Sequence, residues 1–121
     1  MPETFFDTNI LIDWLLGRPQ ASVELRRHDR LRISRVAWTE VLAGEPAGGR
    51  TRVEHLLKPF EIVELDQRIA RFAIELRHEM RIKLLDAFIL ATARVNGGIL
   101  VTRDTKAFRP GTHGIHVPYI L

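Results

Sequence analysis

Residues 84–101 read Leu84-Leu85-Asp86-Ala87-Phe88-Ile89-Leu90-Ala91-Thr92-Ala93-Arg94-Val95-Asn96-Gly97-Gly98-Ile99-Leu100-Val101. From Leu84 to Val95 the residues are apolar nearly all round, as expected of a helix buried over most of its circumference. Asn96-Gly97-Gly98 stops that helix, and Ile99-Leu100-Val101 is a β-branched apolar run too short to be another one. A buried helix feeding directly into a buried strand is a building unit of a parallel α/β sheet covered on both faces.

The same alternation extends outward in both directions. Upstream, Ile69, Phe72, Ala73, Leu76 and Met80 fall at helical spacing, with Arg68, Arg71, Glu75 and Arg77 elsewhere on the cylinder. This predicts an amphipathic surface helix capped by Asp66. Phe60 to Leu65 is a strand, preceded by a helix over Thr51 to Leu57 that Pro59 stops. Val36 to Gly44 is helical until Glu-Pro-Ala-Gly-Gly at 45–49 breaks it. Arg30 to Ser34 is a strand with Leu31 and Ile33 on one face, and Gln20 to Asp29 is a helix with Val23 and Leu25 inside. Glu3 to Phe6 forms a first strand ending at Asp7, followed by a helix over Asn9 to Leu16. Downstream, Ile115-His116-Val117 is placed as an edge strand. The 121 residues are expected to form a single α/β domain over 1–121.

Composition narrows the chemistry. Hydrophobic residues make up 45% and charged residues 27%, which argues for a globular fold rather than disorder. No apolar run approaches the ~20 residues of a membrane span, and no basic-then-apolar leader precedes Phe5, so a cytoplasmic location without membrane attachment is expected. Cysteine is absent, which excludes disulfides, zinc ribbons, iron–sulfur clusters and thiol nucleophiles together. Hydrolysis would have to use oxygen, imidazole or a metal held by oxygens. A net charge of +3, carried mostly by arginine, suits a polyanionic partner.

Ligands of open parallel sheets bind beyond the carboxyl ends of the strands. Asp7 follows the first strand there, and Asp104 follows Ile99–Val101. Both could be plain helix caps. Glu40 is harder to explain as structure, because its helical neighbours Val36, Ala37, Ala43 and Gly44 are small and apolar. Asp86 is the one charge in its apolar run, and isolated buried charge is costly unless the residue caps the helix. Four carboxylates from four segments, converging on one pocket, would need a cation. All-oxygen coordination suits Mg²⁺ or Mn²⁺, and the reaction class is metal-assisted phosphodiester hydrolysis.

The ordered set Phe6-Asp7-Thr8-Asn9-Ile10-Leu11, Thr39-Glu40-Val41, Leu85-Asp86-Ala87-Phe88-Ile89-Leu90-Ala91-Thr92-Ala93 and Leu100-Val101-Thr102-Arg103-Asp104 resembles the PIN-domain family. Within that family it is most like the VapC-type toxin ribonucleases. The resemblance covers essentially the whole chain. It implies a three-layer α/β/α sandwich with a mostly parallel central sheet of four or five strands, and an endoribonuclease using Mg²⁺ or Mn²⁺. It also implies an RNA substrate, a cognate antitoxin covering the pocket, and a homodimer. The family's acidic cluster carries over to Asp7, Glu40, Asp86 and Asp104 as metal ligands and catalytic residues, with Asp7 and Asp86 the most direct ligands. Thr8, Asn9 and Thr102 are the neighbours that position the cluster.

Arg81 and Lys83, ahead of Asp86, and Arg103, beside Asp104, form an expected basic rim for phosphate, together with Arg77. Thr8, Asn9 and Thr102 face the substrate in the same reading. Two positions depart from the family pattern: Leu85 stands where many relatives have proline, and Ala107 where many have a further acidic residue. The histidines of His113-Gly-Ile-His116 lack a third nitrogen or sulfur ligand and are expected to be solvated. Serine-hydrolase, P-loop and dinucleotide motifs are absent. Two rivals compete with the nuclease: a non-catalytic RNA- or protein-binding module on the same fold, and a receiver-like phosphoacceptor using Lys106. The latter would need an acidic pair after the first strand, where only Asp7 stands.

Overall fold

A computed structural model describes residues 3–121. In chain order the elements are β1 (Glu3–Phe6), α1 (Thr8–Leu15), α2 (Pro19–Arg26), β2 (Arg32–Ser34), α3 (Arg35–Ala43), a single 3₁₀ turn (Ala47–Gly49), α4 (Arg50–Leu56), β3 (Glu61–Val63), α5 (Gln67–Met80), α6 (Leu84–Val95), β4 (Gly98–Val101) and β5 (Ile115–His116). The five strands form one sheet in the order β3-β2-β1-β4-β5, and every pairing is parallel. Helices cover the sheet to give the three-layer α/β/α sandwich expected from the sequence.

The register is tightest at the centre, where Phe5 pairs with Leu100 and Phe6 with Val101. These four side chains are essentially inaccessible to water. Both faces are covered at Phe5-Phe6 and at Leu100-Val101, so these halves of β1 and β4 are apolar at successive positions rather than alternating. Helix α6 packs against β1, β2 and β4, with α5 alongside it and α3 touching it. Its Ala87, Leu90, Ala91 and Ala93 are fully buried. Small residues there let the helix approach the sheet closely.

Two glycines make the α6–β4 junction possible. Gly97 has φ +68°, the left-handed conformation that ends a helix at least cost when no Cβ is present. At Gly98 a Cβ would lie 2.5 Å from the Glu3 carbonyl oxygen and 2.9 Å from the Phe5 ring. Any side chain there would push β4 off β1.

The structure moves some boundaries and two faces. The second strand begins at Arg32 rather than Arg30, which leaves Leu31 outside it, and the third is reduced to Glu61–Val63. Val23, expected inside, is 42% exposed, and α2 buries Ala21, Glu24 and Leu25 instead. Phe72 is 39% exposed although it shares the helical spacing of Ile69, Ala73 and Leu76. Leu84 and Leu85, at the start of α6, are also exposed. Asp66 caps α5 as expected, accepting from the Ile69 amide at 2.8 Å.

Candidate active site

The strand order reverses direction at β1: β2 and β3 lie on one side of it, β4 and β5 on the other. The crevice of a parallel α/β sheet opens at such a switch point, at the carboxyl ends of the strands. Here that place lies between the ends of β1 and β4, where Asp7 and Thr102 emerge side by side. The Asp7 amide continues the ladder by donating to the Val101 carbonyl at 2.9 Å.

Asp7 does two jobs at once. One carboxylate oxygen caps α1 by accepting from the Thr8 amide at 2.7 Å. The other accepts from the Thr102 hydroxyl at 2.7 Å and from the Asn9 side-chain amide at 3.5 Å. Burial pushes the Asp7 carboxyl up to about 6, against the hydrogen bonds from Thr102 and Thr8, and the charges of Asp86 and Glu40 push it the same way. A cap needs no such neighbours.

Glu40, half-buried on α3, accepts from the Thr8 hydroxyl at 2.7 Å. It is therefore not sealed in apolar surroundings as its neighbours suggested. Arg94, on the neighbouring helix α6, does not pair with Glu40 and donates instead to the His113 carbonyl at 2.6 Å. Asp86 sits in the first turn of α6, whose N-cap residue is Lys83, so helix capping in the usual sense does not account for it. Its carboxyl is raised first by burial and then by the charges of Asp104 and Glu40, with Lys83 opposing. Asp104 folds its loop around one oxygen, which accepts from the amides of Lys106 at 3.1 Å and Ala107 at 3.0 Å. Its own amide donates to the Thr102 hydroxyl oxygen at 3.0 Å.

Thr102 is thus the hub, linked to Asp7, Asn9 and Asp104 through one buried hydroxyl. Asn9 completes the frame by accepting from the Arg103 amide at 3.1 Å. The charges of Asp86 and Glu40 act on Asp7, and those of Asp104 and Glu40 act on Asp86, so each of these carboxylates lies within electrostatic reach of at least one other. Among the described residues, no three carboxylate or imidazole side chains are drawn together tightly enough to share an ion as they stand. The donor set is all carboxylate oxygen, which is the chemistry a hard divalent cation requires.

Arg81 and Lys83 line a cavity of about 850 Å³ whose wall also includes Asp86 and Asp104. The rim is otherwise different from the expectation. Arg77 donates to the Ile82 carbonyl at 3.2 Å. The Arg103 guanidinium turns away from the cavity onto Asp13, with Nε–Oδ2 2.7 Å and Nη2–Oδ1 2.9 Å. Tyr119 donates to the same carboxylate at 2.8 Å. Asp13 and Tyr119 escaped the sequence reading, yet the signal was present for Asp13: it is the one charge in Asn9–Leu16, as Asp86 is in its own helix. His113 and His116 are exposed, as expected.

Residues 4–111 match the PIN domain family. Among solved structures, one chain of a toxin–antitoxin complex from Klebsiella pneumoniae is 39% identical, with 98% of this chain and 100% of that one covered and a TM-score of 0.91. DNA-bound VapBC from Salmonella typhimurium contains a chain 20% identical, with 96% of each chain covered and a TM-score of 0.77. FitAcB from Neisseria gonorrhoeae contains one 23% identical, with 98% and 100% covered and a TM-score of 0.76. The last two share the fold. No curated protein matches the sequence.

Proposed function

The chain belongs to the PIN-domain family, and on that premise we propose that it is the toxin of a toxin–antitoxin pair, an Mg²⁺- or Mn²⁺-dependent endoribonuclease. The observation that carries this reading is Asp7, a buried carboxylate at the switch point, held by the Thr8 amide and the Thr102 hydroxyl and pushed up to about 6 by burial first, with the charges of Asp86 and Glu40 contributing. Carboxylates that repel one another at a strand-end crevice are stabilised by a cation, and perturbed groups of this kind cluster at functional sites. The similarity to a toxin–antitoxin complex supports an antitoxin as partner. RNA as substrate and a homodimer follow from the family resemblance.

Asp7, Glu40, Asp86 and Asp104 would hold the metal, with Asp7 and Asp86 the most direct ligands. When bound, the ion supplies a water of lowered pKa and neutralises charge on the phosphate under attack. The chain's own part is to orient. Thr102 and the Thr8 amide hold the two oxygens of Asp7 in opposite directions, and Thr8 aims Glu40. Asp104 keeps one oxygen free because its turn uses only the other. Lys83, near Asp86, and Arg81 would meet phosphates of the substrate.

Incubating the purified chain with single-stranded RNA in Mg²⁺, Mn²⁺ and EDTA tests the reading. Cleavage should require metal and vanish in Asp7→Asn and Asp86→Asn while both variants unfold cooperatively. Cleavage that survives EDTA or Asp7→Asn would overturn it. RNA ends collected after brief expression in cells identify the transcript and the cut.

A further inference from the structure

Three carboxylates are buried among the described residues: Asp7, Asp13 and Glu24. Asp7 belongs to the acidic cluster, and Glu24 is met by Arg27 and His28, three and four residues further along the chain. Asp13 is different, because its closest partners come from distant segments, Arg103 from the loop after β4 and Tyr119 from the C-terminal segment. Both of its oxygens are occupied, Oδ1 by Arg103 and, at 3.6 Å, by Arg18, and Oδ2 by Arg103 and Tyr119. A buried ion pair is a weak source of stability compared with apolar residues of the same volume, whereas a two-nitrogen fork on a carboxylate fixes position and direction.

What the fork fixes is the peptide that leads to Asp104. Residues 102–104 follow β4 with no helix or strand of their own. Arg103 is attached to α1 twice, by its amide to Asn9 and by its guanidinium to Asp13. Asn9 and Asp13 stand four residues apart in α1 and so share one face of it. One anchor would leave the peptide free to pivot about it, whereas two anchors a turn apart hold it along the helix. Asp7 caps that same helix, so the grip sets the peptide of Asp104 in register with Asp7. The Asp104 side chain takes no part in the grip, because its bonds to the Lys106 and Ala107 amides only close its own turn.

We propose that Asp13, Arg103 and Tyr119 are positioning residues for the metal: the buried Asp13 carboxylate, steadied by Tyr119, clamps Arg103 so that Asp104 is presented to the ion beside Asp7. The inference rests on the metal-dependent reading above and adds to it three residues that act through Asp104.

Mn²⁺ binding to the purified chain, followed by loss of the free-ion EPR signal, reads the clamp without a cleavage assay. Arg103→Met removes a positive charge and Asp13→Asn a negative one. If charge alone reached the ion, the first would tighten Mn²⁺ binding and the second would weaken it. Loss of the clamp weakens binding in both, by about tenfold to a hundredfold, as when a contact that orients a metal ligand is removed. Tyr119→Phe leaves the fork in place and should weaken binding less than either. In an Asp104→Asn background, Arg103→Met and Asp13→Asn should have no further effect, because the residue they act through is gone. Arg103→Lys serves if the methionine variant does not fold: it keeps the charge and removes the fork, so charge predicts unchanged affinity and the clamp predicts weaker binding.

Ile69→Ala separates positioning from folding. Ile69 is buried on α5, and its neighbour Arg68 donates to the carbonyl of Val95, at the end of α6 remote from Asp86. The variant should lose stability and bind Mn²⁺ as wild type does. Equal weakening in Ile69→Ala, tighter binding in Arg103→Met, wild-type affinity in Arg103→Lys, or a further loss on the Asp104→Asn background would each overturn the clamp. A wild type that binds no Mn²⁺ would overturn the metal-dependent reading and the clamp with it. A wild type that binds Mn²⁺, with variants in the expected order but no cleavage of RNA, would leave the clamp standing and remove the nuclease alone.

Discussion

Arg103 grips Asp13 through two nitrogens, at 2.7 and 2.9 Å, across 90 residues of chain. The pair ties α1 to the loop after β4, the two segments that carry Asp7 and Asp104. Burial opposes ionisation of Asp13, but hydrogen bonds from Arg103 and Tyr119, with the charges of Arg103 and Arg18, override it and hold the carboxyl below its usual range. Tyr119 brings the C-terminal segment into the same lock, and its hydroxyl is raised by burial and by that bond.

Arg103→Met should destabilise the protein by about 2–3 kcal/mol, because it leaves a buried carboxylate with weaker partners. The value lies below that of a fully buried pair since a third of the Arg103 side chain is in water. Tyr119→Phe should cost about 1 kcal/mol. Urea unfolding at neutral pH measures both. Because the Asp13 carboxyl is depressed, its stabilisation is present above the ordinary Asp range and lost as pH falls through the folded value. The wild type should therefore converge on Arg103→Met in acid.

Asp7 has the opposite sign. Its folded carboxyl titrates near 6 against an ordinary value of 3.8, so the native state holds the proton more tightly. In EDTA its contribution to stability is full below about pH 4 and declines as pH rises to about 6, by about 3 kcal/mol in all. Asp7→Asn should abolish that decline and be more stable than wild type at pH 8 in EDTA. A pH-independent difference between the two proteins would refute the raised value.

Thr102→Val removes the hydroxyl that lowers the Asp7 carboxyl and that accepts from the Asp104 amide. The decline of stability with pH should move to higher pH, and the unsatisfied amide should cost about 1–3 kcal/mol. Thr102→Ser should restore both, a rescue that a purely packing role for the threonine methyl would not give.

Glu40→Gln keeps an acceptor for the Thr8 hydroxyl and deletes one of the charges that raise Asp7 and Asp86. It should be inactive, at least as stable as wild type in EDTA, and short of most of the stabilisation that Mg²⁺ or Mn²⁺ gives by linkage. Thermal melts with EDTA and with metal check it. A large loss of stability in both conditions would make Glu40 a structural residue.

Sequence alone determined what local chemistry decides. The apolar circumference of 84–95, its glycine stop and the following β-branched run predicted α6 and β4, and the placement of Asp7 and Asp104 after strands located the candidate site. Asp66 was legible as a cap because capping is a relation between neighbours in sequence. Tertiary structure alone decided which residues meet across the chain. Periodicity shows that Val23 and Phe72 share a face with core residues, but not where the covering layer ends, and both lie beyond it. A charge beside Asp104 looks like a phosphate contact in sequence, yet Arg103 is neutralised by Asp13, because the parallel crossover that puts β4 beside β1 also brings α1 within reach of its guanidinium. Left-handed backbone at Arg81 was equally invisible, since no residue type announces it when the residue is not glycine. Strand order, set by how the crossovers pack rather than by any one segment, put the ends of β1 and β4 side by side, with Asp7 and Asp104 in the segments that follow them.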